Sequence, residues 1–133
     1  MIAAELRADV GILSLAISAG IHGALAPNHF SDGAGSGSGF VVSAAALALI
    51  AVWLTVKPLS RLALTAAACA FAGLLASYAL AVTSGLPLLQ PEPEPIDGLA
   101  LATKAIETLG LAVASSLLWR PGRLPPTPER ILT

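Results

Sequence analysis

Long apolar runs separated by short polar or proline-rich breaks organise this chain. The runs cover approximately residues 10–27, 40–56, 62–83 and 98–119. Each is close to the ~20 residues a helix needs to cross ~30 Å of hydrocarbon. They are too long and too evenly apolar for barrel strands, so helices are the expected way to satisfy the backbone in lipid. The breaks are equally clear. Residues 31–39 read SDGAGSGSG, a composition that predicts a flexible polar loop. Residues 57–60 predict a tight turn around Pro58, and residues 86–95 contain four prolines and cannot be helical throughout. The pattern predicts an all-α integral membrane four-helix bundle over residues 1–119, followed by a Pro-rich cytoplasmic tail at 120–133.

Composition supports lipid as the solvent. The 133 residues are 56% hydrophobic and 11% charged, with a mean hydropathy of +0.82. Soluble domains carry about a quarter charged residues, and a chain this short buries only part of what it exposes. The formal net charge of -1 provides no basic footprint, so nucleic acid is not an expected partner. The single cysteine, Cys69, excludes an intrachain disulfide and a cysteine-cluster metal site. The sequence Ala24-Leu25-Ala26 has the form of a signal-peptidase site, but Glu5 and Asp9 beside Arg7 and the proline after the cut argue against one.

Charge placement predicts the topology. Arg7 precedes the first run, Lys57 and Arg61 lie between the second and third, and Arg120, Arg123 and Arg130 follow the fourth. The other two connections contain only acids: Asp32, Glu92, Glu94 and Asp97. By the positive-inside rule both termini are cytoplasmic and the acidic connections face outward across the plasma membrane. Trp53 and Trp119 then fall at the inner interface, where indole rings prefer to sit. Small residues such as Ser14 and Ser18 on the first span, and Gly110 and Ala114 on the fourth, favour close helix packing.

The candidate chemistry starts from the only two histidines, His22 and His29, seven residues apart. Seven helical steps return to within about 20° of one face. Pro27 lies between them and is expected to open the helix by depriving the Gly23 carbonyl of a donor. His22 then lies about 10 Å deeper than His29. The fourth span contributes Lys104 at the level of His22 and Glu107 about 5 Å deeper, three residues apart and able to pair. Ionisable side chains within a span are costly and should face the bundle interior. Asp32 and Tyr78 approach the same outer half.

Three readings follow. His22, His29 and Glu107 form a sensible ligand set for copper, iron or zinc, although an ammonium at Lys104 is unfavourable beside a cation. Alternatively, Lys104 and Glu107 form a structural ion pair, and the histidines are satisfied polar residues that fix helix order. Thirdly, His22 and Glu107 are titratable steps in a proton or ion path. Haem is disfavoured, because both histidines lie on one span. No catalytic set is visible, so an enzyme acting alone is not expected.

The run His22…Pro27-Asn28-His29-Phe30, then Phe40, Gly85-Leu86-Pro87, Pro93-Glu94-Pro95 and a last span carrying Glu107, resembles a group of small bacterial four-span membrane proteins with an HxxxxPxHF first-span motif, a GLP loop and a Glu in the last span. The resemblance covers most of the chain. It implies the four-span fold and the candidate site His22, His29 and Glu107; it implies no activity. This chain has Asn28 where that group usually has Glu, and Val82-Thr83-Ser84 where it often has Arg-Thr. The expected function is thus a small metal-binding membrane protein or an accessory subunit of a larger membrane complex. A ligand-free structural or assembly subunit is the alternative, and a small transporter or channel the third. The expected partners are the lipid bilayer and other membrane subunits or further copies of this chain.

Overall fold

The computed structural model describes residues 2–87 and 89–119. They form four helices: α1 (Ile2–Asp32), α2 (Ala34–Val56), α3 (Arg61–Thr83) and α4 (Gly98–Leu118). All four are long and apolar enough to cross a membrane. The tail expected at 120–133 lies outside the described residues. So do Arg120, Arg123 and Arg130.

One face of α1 forms the central seam. Its buried positions Ala4, Ala8, Gly11, Leu15, Ser18, His22 and Ala26 recur at three- and four-residue steps, the spacing of a single helix face. The facing seam of α4, Thr103, Glu107, Gly110, Ala114 and Leu117, has the same rhythm. α1 packs along α2 and against α4, and α4 also packs against α3; α2 and α3 meet over a shorter stretch. The small side chains on both seams allow close backbone approach, which stands in for the hydrophobic drive that lipid cannot supply. Gly110 also lets α3 come close, because a Cβ there would overlap the ring of Phe71. Phe71, Leu15 and Leu47 are the largest fully buried apolar side chains.

The first two helices exceed their apolar runs. α1 has 31 residues, about 46 Å at the helical rise. It continues through Pro27, which is exposed on its surface. The stretch 31–39 is not a loop: Gly33 alone separates α1 from α2. Gly33 adopts φ 156° and ψ 150°, a region that is essentially glycine-only. The glycines that follow serve contact rather than flexibility. A Cβ at Gly37 would collide with the ring of Phe30, so glycine lets the start of α2 lie flat against the end of α1. Helix propensity alone reads such a sequence as coil, and tertiary contact overrides it.

The other connections follow their composition. Ser60 caps α3 by accepting from the Ala63 N–H at 3.3 Å. Between α3 and α4 the chain reverses at Gly85, with φ 73°, and Leu86 and Gln90 exchange backbone hydrogen bonds of 2.6 and 2.8 Å. The Glu94 N–H then donates to the Ala81 carbonyl at 2.9 Å, tying the connection to the end of α3. Asp97 caps α4 by accepting from the Ala100 N–H at 2.8 Å. One end of the bundle therefore carries the α1–α2 turn and the acidic α3–α4 connection. The opposite end brings the start of α1 beside the α2–α3 turn, and Arg61 reaches the Leu118 carbonyl there.

Candidate functional site

The α1 and α4 seams meet at Glu107, whose side chain is 0% exposed. Each carboxylate oxygen has its own partner. Oε1 accepts from the Ser18 hydroxyl of α1 at 2.8 Å. Oε2 accepts from Lys104 Nζ, one turn earlier on α4, at 2.6 Å. A carboxylate this deep requires both a counter-charge and hydrogen bonds, and Lys104 and Ser18 supply them. His22 completes the cluster, with Nε2 3.9 Å from Oε1. Its Nδ1 lies 2.9 Å from the Ser18 carbonyl oxygen. A carbonyl can only accept, so Nδ1 carries the proton and the ring turns Nε2 towards Glu107. Lys104 Nζ also lies 5.3 Å from the centroid of the Tyr78 ring, within cation–π range.

His29 belongs to a second group. Its ring stacks on Phe40 of α2, with centroids 3.8 Å apart and planes at 15°. Nδ1 lies 3.3 Å from Asp32 Oδ2, 4.0 Å from Glu94 Oε1 and 3.4 Å from Ser36 Oγ. Phe40 also tilts against His22, at 5.3 Å and 35°. One phenyl ring thus touches both imidazoles.

Of the expected ligand set, His22 and Glu107 come together, whereas His29 pairs with Asp32. Lys104 and Glu107 form the expected ion pair. Among the described residues, no group of three or more His, Cys, Asp or Glu side chains could hold a metal ion. The ammonium on Glu107 Oε2 also places positive charge where a metal would bind. The expected ligand set His22, His29 and Glu107 is therefore not gathered around one point.

Between the two groups lies a cavity of ≈ 570 Å³. Phe40, Tyr78, Glu94 and Lys104 line it together with both histidines. It extends from Asp32, Gln90 and Asp97 at the end of the bundle to Ile21, Ser43, Leu74 and Lys104 at its base. Beyond Glu107, Leu15, Leu47, Leu64, Ala67 and Phe71 form a buried apolar core. The cavity is therefore blind. Tyr78 lines its wall, and the buried Tyr78 hydroxyl has no hydrogen-bond partner among the described residues.

Sequence reasoning assigned Ser18 to packing, counted Glu94 only among the acids of the connections, and gave Phe40 no role at the site. The three- and four-residue rhythm from Ala4 to Ala26 is the signal that places Ser18 and His22 on one buried face. Nothing local to Phe40 or Glu94 reveals contacts made across helices. No protein-family model, no curated protein and no solved structure matches this chain.

Proposed function

We propose that this chain is a multi-pass plasma-membrane protein, with both termini cytoplasmic, that binds a small molecule in the blind cavity at its outer end. The segregation of lysine and arginine from the acidic connections supports this orientation. The cavity carries the functional reading. Its volume of ≈ 570 Å³ falls within the ~300–1,000 Å³ of ligand pockets, which typically combine apolar walls with a few convergent polar groups. The apolar core below Glu107 favours binding over conduction, because among the described residues Ser14 is the one buried polar side chain beyond it.

Gly39 provides a test. It lines the cavity, and a Cβ there would meet nothing within 4 Å. Gly39→Phe should therefore fill the cavity without straining the fold. Native mass spectrometry of the full chain, released from mild detergent, should reveal a bound small molecule in wild type and none in Gly39→Phe of equal helicity. A wild-type protein carrying no such mass, or a variant carrying the same one, overturns the reading and leaves the cluster a structural role.

A further inference from the structure

We infer that the cavity takes an amphipathic organic cation, an ammonium group on an apolar body, with its nitrogen held at the mouth by Glu94 and Asp32. This inference rests on the binding role proposed above. Asp32, Glu94 and Asp97 all line the mouth, and neither adjoining connection contains a lysine or arginine. Among the described residues the one lysine or arginine lining the cavity is Lys104, and its charge is matched by Glu107 at 2.6 Å. The mouth is left with an excess of negative charge.

The three acids are not equivalent. Asp97 is engaged in capping α4. Glu94 is held at the rim by its backbone bond to Ala81, and its side chain is only 24% exposed. Its carboxylate faces His29 Nδ1 at 4.0 Å, beyond hydrogen-bond length. The same nitrogen lies closer to Asp32, and a single N–H cannot serve two carboxylates. A partly desolvated carboxylate without a close donor favours a cation. An anion would be repelled here, and a neutral molecule would leave Glu94 unpartnered. Below the rim, Leu25, Phe40 and Leu74 present apolar surface, and Leu86, Leu89 and Leu99 add more at the level of the connection. The site thus offers acid at the mouth and hydrocarbon beneath it, complementary to an amine with an apolar body.

Three probes of similar size separate the possibilities: benzyltrimethylammonium, its uncharged carbon isostere neopentylbenzene, and the anion benzenesulfonate. Binding is measured by calorimetry on the full chain in nanodiscs of uncharged-headgroup lipid. The cation should bind about tenfold or more tighter than either competitor. The preference should vanish in Glu94→Gln with Asp32→Asn. It should also vanish in His29→Arg, which places a fixed charge between the two carboxylates, and Gly39→Phe should bind none of the three. Equal or tighter binding of the neutral or anionic probe, lost in Gly39→Phe, overturns the cation inference and leaves the binding role standing. A cation preference that survives both charge variants also overturns it. Failure of all three probes in wild type overturns the inference, and the bound-mass measurement decides the binding role separately.

Discussion

Ser18 on α1 and Glu107 on α4 are joined by a 2.8 Å hydrogen bond at a point where neither side chain is reached by solvent. This bond locks two spans together at the depth of the Lys104–Glu107 pair. Ser18→Ala removes the donor and leaves Oε1 without a hydrogen bond, since His22 Nε2 is 3.9 Å away. Interhelical hydrogen bonds in membranes average about 0.6 kcal/mol, but bonds to charged groups reach about 1.5–3 kcal/mol. The full burial of this charge places Ser18→Ala in the upper range. Ser18→Thr, which keeps the hydroxyl, should lose much less. Reversible unfolding in mixed micelles measures both.

The ion pair should be strongly non-additive. Removing one member of a buried pair costs about 3–5 kcal/mol, because the other charge is stranded. Glu107→Leu and Lys104→Met should each destabilise by that order. The double variant should lose far less than the sum, since it leaves no stranded charge. A double-mutant cycle on thermal unfolding reads the coupling, and simple additivity would show that the pair is not a unit.

Gly110 and Phe71 should behave as lock and key. Gly110→Ala drives a methyl group into the Phe71 ring and the Ser14 side chain, an overpacking worth about 1–3 kcal/mol. Phe71→Leu in the same chain should recover part of the loss by vacating the space. If the two losses add without recovery, the contact is not the source of the strain.

The proposed topology predicts a labelling pattern. In a Cys69→Ala background, Glu92→Cys on the α3–α4 connection should react with a membrane-impermeant maleimide added to intact cells. Lys57→Cys at the opposite end should react only after permeabilisation. Reversal of this pattern would place the acidic connections inside.

The helices are legible because hydropathy alone reports them. The ends are not, because SDGAGSGSG is read from intrinsic propensity while its helical state rests on the contact of Gly37 with Phe30. The site is legible to the same extent. Lys104 and Glu107 meet through local helical spacing, so the sequence shows their pairing. The seven-residue spacing of the histidines suggests one shared site, yet His22 turns to Glu107 and His29 to Asp32. That division depends on Phe40 arriving from α2 and on Glu94 from a connection more than sixty residues along the chain. Spacing along a single helix carries no information about either.

The apolar core beneath Glu107 constrains any guest. Under the proposed binding role, a molecule in the cavity would have no polar route along the bundle to its opposite end. It would be taken up and released, not conducted, either at the acidic end or between α2 and α3, which meet over only a short stretch.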